Sequence, residues 1–511
     1  MHEFIQKFVG KITGSLECFD RVIFKGHLRA ISFAEGVEKL LSRHGLRVKD
    51  FAAFVQGHSN HLIQRAKDEA ARRHRPYQYL ARRIRKDDEA RRIAARAGIT
   101  TGLVCVFSEL ETCPSFKIAY AQGCPRIQAA ARKCLCVYYY FLHPELGLIH
   151  VRLQTWFPFV LQIAVNGHEW LAIQMRRRRL RFEQLDNAFV QLAAPAKAQA
   201  LADQFATQNW TALLSRIGAY ANPLLNSLLR GQAYYWTVDQ AEFATDILFR
   251  NRTALAPLYR ACVKHALLCF RAQDVLGFLG RKITGNFKAD VLKDFKTRVE
   301  GMRMKHRVGR NWIKMYDKFG LLLRVETVIN DPYGFLTRRH GTRQGKKVMG
   351  WFPMTKGVTG LPRYAQVARS ANHHYLTALS VANDPAPAQQ LLHLCTRRVE
   401  HMQRSYRGFN PAAQTDLALF KALLKGEHHL HGFRNAAVRA ALYPAAPTDT
   451  PTQRRLAARV HRALKRLHVR GLIARIPHSR RWRVTLDGQS FMGMAIKHYE
   501  EPYVSDVADA A

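Results

Sequence analysis

Breaking or joining a phosphodiester asks for one of two side-chain inventories: two or three carboxylates that hold divalent ions, or a nucleophilic tyrosine beside a metal held by histidines and a carboxylate. The sequence offers candidates for both. For the first, Asp20 stands at the head of an apolar strand-like run, Cys18-Phe-Asp-Arg-Val-Ile-Phe24. Glu111 follows the apolar run 102–107, and Glu242 and Asp246 are spaced to share one face of an expected helix. Asp20, Glu111 and Asp246 are the expected ligands of Mg2+ or Mn2+, with Glu242 a further catalytic carboxylate. Such a trio also arises readily in any chain of this length, and Asp20 beside Arg21 reads equally as an ion pair.

For the second, Lys314-Met-Tyr-Asp-Lys318 and Leu323-Arg-Val-Glu-Thr327 read as adjacent strands joined tightly through Phe319-Gly320. The pair resembles the tyrosine-aspartate-lysine and arginine-valine-glutamate strands of phage and plasmid rolling-circle replication initiators. That resemblance covers residues 314–327 alone. It implies a nicking site with Tyr316 as nucleophile and Glu326 as a metal ligand, and with Lys314, Lys318 and Arg324 toward the phosphates. Those initiators carry a His-hydrophobe-His strand upstream of the tyrosine. Here the triplet His429-Leu430-His431 lies downstream, in a helical stretch, and reads as surface histidine. The placement of Asp20 resembles instead that of the first metal ligand in RNase H-like nucleases and transposases.

Charge indicates what the partner would be. Lys and Arg number 80 against 38 Asp and Glu, a formal net charge of +42 over 511 residues, which is the electrostatic footprint of a protein that meets a polyanion. Membrane lipid is the competing polyanion. Against it stand the lack of an apolar run long enough to span a bilayer, of a secretory signal and of a lipidation motif, so a cytoplasmic protein is expected, nucleoid-associated if it binds DNA. A hydrophobic fraction of 48% suffices for packed cores, so the cations sit on folded surface. The nine cysteines lack zinc-ribbon spacing and read as reduced, buried side chains.

The elements that would position these groups give an α+β fold. A basic helical N-terminal region (1–100) contains a strand at Phe19–Phe24 and an amphipathic helix over Tyr79–Arg92, whose cationic face is either nucleic-acid surface or simply solvated. A central body (101–384) begins with five β-rich runs within 102–166, including a hairpin through His143-Pro-Glu-Leu-Gly147. Tyr138, Tyr139 and Tyr140 alternate there as core, or as a platform for unpaired bases. Asn166-Gly167 then leads into a helix, His168–Met175, that ends in Arg176, Arg177, Arg178 and Arg179. These four are a candidate backbone-binding edge, or ordinary capping of the helix dipole. Residues 185–300 read as predominantly helical, with Thr237 capping a helix that contains Asp239, Glu242 and Asp246. Strands return over 300–330, in an antiparallel or mixed sheet, and Arg338–Lys347 reads as a basic loop. Asn383–Pro387 and Pro444–Pro451 read as linkers around a helical connector (385–448).

The segment 449–500 has the most specific pattern. Thr452–Arg470 is a basic amphipathic helix, Leu472–Ile476 a strand, Pro477–Arg481 a cationic turn and Trp482–Leu486 a second strand. This order resembles the winged helix-turn-helix of bacterial transcription regulators. The resemblance implies that Arg455, Arg459, Arg462 and Arg466 face a groove while His478, Arg480 and Arg481 lie against phosphate. A solvated basic helix and hairpin would look the same. Separately, Cys134–Trp170, Tyr234–Phe249 and Glu300–Asn330 resemble a large uncharacterised group of bacterial, mobile-element-encoded proteins, a resemblance that implies no activity. Three functions fit the sequence. The first is a transposase-like or replication-initiator-like enzyme that nicks or transfers strands, the second a non-catalytic RNA-binding component of a ribonucleoprotein, and the third a winged-helix DNA-binding regulator, against which the chain's size weighs.

Overall fold

The computed structural model describes residues 1–500 apart from 81–83, 269, 271, 281–290, 299–300, 381, 383–394, 411–412, 427, 429–431, 446–448 and 478. The fold is α+β. Two compact units are each assembled from separated stretches: Leu16–Ala244 with Val328–Gln366, and Met1–Ser15 with Thr245–Thr327 and Val367–Ala511.

The first unit is built on β1 (Ile12–His27), β2 (Tyr77–Tyr79), β3 (Gly102–Ala121), β4 (Cys124–His143), β5 (Gly147–Gln154), β6 (Leu161–Asn166), a small hairpin of β7 (Phe182–Leu185) and β8 (Ala188–Leu192), and β9 (Tyr235–Phe249). Only the first residues of β1 and the last of β9 belong to the second unit. The sheet order is β9-β1-β6-β5-β4-β3-β2. Neighbours from β1 through β6, β5 and β4 to β3 run antiparallel, and β2 joins β3 in parallel. The β3–β4 hairpin turns at Gln122-Gly123, both at positive φ (53° and 76°), the two-residue turn whose twist matches that of the strands. The expected hairpin at His143–Gly147 is present, with those two residues paired across it.

Two segments expected as helices depart from that reading. Tyr79–Arg92 is divided: Tyr77–Tyr79 pairs with Val106–Ser108, and the helix begins only at Lys86. Asp87, Asp88 and Glu89 fill its first turn, where the helix dipole favours anions. The segment holding Thr237, Asp239, Glu242 and Asp246 is the strand β9. Its residues from Ala241 to Phe249 are all buried, so no polar face alternates with an apolar one to reveal the strand period. Spacing of four that would stack side chains on a helix leaves them on one face of a strand about 13 Å apart.

In the second unit, β10 (Val291–Arg298), β11 (Gly301–Val308) and β12 (Asn311–Lys318) pair antiparallel, followed by β13 (Leu322–Ile329) and the part of β9 from Thr245 onward. The tight connection expected at Phe319-Gly320 is there, at φ 61° and 72°, with the Gly320 amide donating to Asp317 Oδ1 at 2.8 Å. The stretch Arg338–Lys347, expected as a loop, belongs in the first unit to a regular hairpin of β14 (Leu336–Arg343) and β15 (Lys346–Pro353). Its Arg, Lys and Gly content hides the two-residue period.

The C-terminal part of the second unit packs helices Gln414–Leu423, Asn435–Leu442, Thr450–Val469 and Leu486–Glu500 with two short hairpins, β16 (Val399–His401) with β17 (Arg404–Tyr406), and β18 (Ile473–Arg475) with β19 (Trp482–Val484). Phe409, Phe420, Phe433, Leu464, Leu467 and Phe491 form its core. The helix, strand, turn and strand expected over 452–486 occur in that order. The expected linker 383–387, the triplet 429–431 and His478 lie outside the described residues. Among the described residues no helix is long and apolar enough to cross a membrane.

Candidate carboxylate and cation sites

Asp20 and Glu242 come together in the first unit because β1 and β9 are neighbours in its sheet. Both are buried, at 8% and 4% exposure, and a carboxylate oxygen of each lies within 4.8 Å of the other. Asp20 Oδ1 accepts from Asn187 Nδ2 at 2.8 Å and faces His168 Nδ1 at 3.0 Å, while His168 Nε2 sits 3.3 Å from Cys18 Sγ. His168 is placed by the start of helix Gly167–Arg177, where the Asn166 side chain accepts from the Glu169 amide at 3.0 Å. Glycine is required at 167, since a Cβ there would lie 2.1 Å from the Phe19 carbonyl oxygen. The helix therefore starts directly against β1.

Glu242 accepts from Arg21 Nη2 at 2.8 Å and from Gln240 Nε2. Burial alone would lower the pKa of the Arg21 guanidinium, but the carboxylates of Glu242, Asp20 and Asp87 outweigh it and raise it. Two buried carboxylates side by side disfavour each other's ionisation unless positive charge stands between them. Arg21 serves Glu242, and a divalent ion bridging both groups would serve the pair, with hard oxygen ligands of the kind Mg2+ or Mn2+ takes. A cleft of about 590 Å³ reaches this region through Asn187, which lines it together with Asp87, Arg91, Glu169, Asp186 and Arg176.

Glu111 is not part of this group. It lies on β3, four strands from β1 in the sheet order, a separation of about 19 Å at ordinary strand spacing. There it accepts from Arg152 Nη2 at 2.8 Å and from the Tyr138 hydroxyl. The same Arg152 nitrogen is 3.0 Å from Cys113 Sγ and 3.1 Å from Cys136 Sγ. Hydrogen bonds from Cys134 and Cys136, with the Arg152 charge, pull the Cys113 thiol below its ordinary pKa, while bonding to that same group pushes Cys136 up. Glu111, Cys113 and Cys136 have the spacing of a metal cluster, but the Arg152 guanidinium already stands among them as the cation. Every described cysteine is free, and all but Cys124 are buried.

Asp246 is also accounted for otherwise. In the second unit it holds Arg324 through two bonds, Nε to Oδ1 at 2.6 Å and Nη2 to Oδ2 at 2.7 Å, with both side chains essentially inaccessible. The expected metal set of Asp20, Glu111 and Asp246 is thus not assembled, and Arg324 is not a surface cation. Beside that pair, Glu326 accepts from Lys314 Nζ at 2.7 Å and from the Tyr316 hydroxyl at 2.6 Å. Tyr316 and Glu326, two of the residues expected at a nicking site, meet here with Lys314 beside them, while Arg324 is held by Asp246. Lys318 is buried, its ammonium 5.4 Å from the centre of the Phe319 ring.

The remaining basic candidates divide by exposure. Arg176, Arg177, Arg178 and Arg179 are all exposed at the end of their helix. On helix Thr450–Val469, Arg454, Arg455, Arg459 and Arg462 are exposed opposite the buried Val460, Leu464 and Leu467. Arg466 turns inward instead: it donates to the Arg407 carbonyl at 3.1 Å and the Gly408 carbonyl at 2.5 Å, lies 4.1 Å from the Phe409 ring centre and stands 3.6 Å from Asp416 Oδ1. Arg480 is exposed and Arg481 half-buried. In the N-terminal basic region, Arg65, Arg72 and Arg73 converge on the buried Glu69, which Tyr220 also meets. Tyr139 and Tyr140 are buried, and Tyr138 and Tyr140 donate to Glu111 and Asp87, so the tyrosine row serves the interior.

The roles of His168 and Asn187 escaped the sequence reading, and Arg21 was read as a partner of Asp20 where it holds Glu242, because a neighbour reached through a distant strand or helix leaves no local spacing. The motif Asn166-Gly167-His168 was the available signal, a cap and a close-approach glycine immediately before a histidine. No family model, curated protein or solved structure matches the chain.

Proposed function

We propose that this protein binds nucleic acid and carries out metal-assisted phosphodiester chemistry on it, in the manner of a transposase encoded by a mobile element. The observation that carries the reading is the buried pair Asp20 and Glu242, drawn from neighbouring strands of a chain whose net charge is +42. The pair would hold one divalent Mg2+ or Mn2+ ion, which supplies a Lewis acid for the phosphoryl oxygens and an activated water. Arg21 neutralises Glu242, and His168 and Asn187 orient Asp20.

Exposed arginines supply the grip. Arg454, Arg455, Arg459 and Arg462 form the outward face of a recognition helix, and the β18–β19 hairpin with Arg480 and Arg481 forms its wing, in the arrangement of a winged helix on duplex. Arg176 to Arg179 supply further phosphate contacts. Binding should weaken linearly in log–log terms with salt as counterions are released.

The test uses the full chain on supercoiled plasmid with Mg2+ or Mn2+. Nicking that needs the ion, and that Asp20→Asn and Glu242→Gln abolish while leaving salt-dependent binding intact, supports the reading. Cleavage untouched by either substitution sinks the site. Tyr316→Phe tests a second reading, favoured by the short hydrogen bond from that hydroxyl to Glu326 beside Lys314: loss of a covalent protein–DNA adduct in this variant alone would transfer the chemistry to the tyrosine. Binding without any cleavage, with RNA retained through purification, would favour a ribonucleoprotein component.

A further inference from the structure

The β14–β15 hairpin carries cations and large apolar side chains together. Over Leu336–Pro353 it holds Arg338, Arg339, Arg343, Lys346 and Lys347 and not one Asp or Glu; the acid-free stretch extends over residues 332–383. All residues from Thr342 to Met349 are exposed. The turn at Gln344-Gly345 has both residues at positive φ, 50° and 77°, so the two strands run in register to the tip.

The two faces differ. On one, Phe352 lies against Gly341, where a Cβ would come within 2.6 Å of the ring, and the guanidinium groups of Arg339 and Arg343 stand 5.4 and 6.0 Å from the ring centre. Arg339 is fixed further by donating to the Pro353 carbonyl at 3.0 Å and to the His340 carbonyl at 2.9 Å. This face stiffens the hairpin. The other face aligns Arg338 with Trp351, His340 with Met349 and Thr342 with Lys347 across the strands. Trp351 is 65% and Met349 52% exposed. Large apolar groups held in water on a stiff, wholly cationic element mark a surface that a partner covers.

We infer that this hairpin is a double-stranded DNA-binding arm whose Arg338/Trp351 face enters the major groove, an inference that rests on the nucleic-acid reading above. Each strand has eight residues, about 26 Å of reach at ordinary strand rise. A two-stranded ribbon fits a groove about 12 Å wide and 8.5 Å deep. Arg338, His340, Thr342 and Lys347 offer hydrogen bonds to base edges, and Met349 and Trp351 offer apolar contact to thymine methyl groups. Arg343 and Lys346 flank the tip, within reach of the phosphates on either side. Duplex RNA does not fit, since its major groove is too deep and narrow for side chains to read.

The test is full-length protein against long synthetic duplex DNA, with anisotropy measured across a salt series and dimethyl sulfate probing of guanine N7, a major-groove atom. Wild type should protect N7 positions. Arg338→Ala should lose that protection, and the pair Arg343→Ala/Lys346→Ala should lower the slope of log affinity against log salt by about 2, near 0.9 for each phosphate no longer neutralised. Trp351→Ala should weaken binding with the slope unchanged. Thermal melting checks the fold, and the tip pair Arg343→Gln/Lys346→Gln, with an expected loss of about 2 in slope, serves if the alanine pair melts early. Wild-type binding to duplex DNA with slope and protection unaltered in these variants overturns the arm and leaves the broader reading standing, whereas wild type that binds no nucleic acid removes that reading itself. Dependence on the same residues for binding duplex RNA or anionic vesicles in preference to DNA also overturns the inference.

Discussion

Replacing Asp246 with Asn should cripple the second unit without any direct role in chemistry. The Arg324 side chain is 0% exposed and its partner's 2%, and the two bonds between them run side by side at 2.6 and 2.7 Å, the bidentate geometry of a strong carboxylate–guanidinium pair. In Asp246→Asn the guanidinium keeps its charge and its burial but loses the carboxylate. Removing one partner of a buried charge pair costs about 3–5 kcal/mol, which for a unit of this size is a fall in melting temperature of about 6–20 °C. Arg324→Met with Asp246→Leu removes both charges and fills much of the same volume. It should return to within about 2 kcal/mol of wild type, because burying a pair already spends most of its attraction on desolvation. Denaturant midpoints for the single and double variants, read by far-UV circular dichroism, make the comparison. A single variant as stable as wild type, or a double variant no better than the single one, would refute the structural role. Were Asp246 a metal ligand, its Asn variant would hold its stability and lose only cleavage.

Other consequences follow from the same geometry. Arg462→Ala should lower the salt slope of nucleic-acid binding by about 1 with little change in melting, whereas Arg466→Ala, which loses its place over Phe409 and beside Asp416, should cost about 1–2 kcal/mol and leave the slope alone. Parallel melts and salt titrations of the two variants read both effects. Burial alone would raise the Glu69 carboxyl, but hydrogen bonds from Tyr220, Arg72, Arg73 and Arg65 hold it well below the ordinary carboxylate range. A carboxylate depressed on folding stabilises the protein above its unfolded pKa of about 4.3 and surrenders that contribution as pH falls toward the lower folded value. Urea midpoints should therefore drop below about pH 4.3, and more gently in Glu69→Gln; an identical acid limb in the variant would count against the cluster. Asn166→Ala removes the cap that starts the His168 helix and should cost about 1 kcal/mol by denaturant titration, in line with other N-cap losses.

Much of the fold is written locally. The runs within 102–166, the hairpin at His143–Gly147, the Asn166 cap and the Phe319-Gly320 turn are all readable, because strand alternation, turn residues and caps act between residues a few positions apart. The same holds for the meeting of Tyr316 and Glu326, where one tight turn fixes which side chains face each other. Legibility fails where a strand is buried on both faces, as in β9, or where cations fill both faces, as in β14 and β15. Neither displays a period to read.

Charge and composition, and those turns, caps and strands whose period shows, were therefore settled by the amino-acid sequence alone, since nothing in them depends on a distant partner. Partnership was not. That Asp20 meets Glu242 and not Glu111, that Asp246 is consumed by Arg324, and that Arg466 turns inward while Arg462 stays in water depend on strand order and helix packing. Those choices link residues far apart in the sequence, 78 positions for Asp246 with Arg324 and 59 for Arg466 with Arg407, and burial sets how strongly each charge holds the partner it meets.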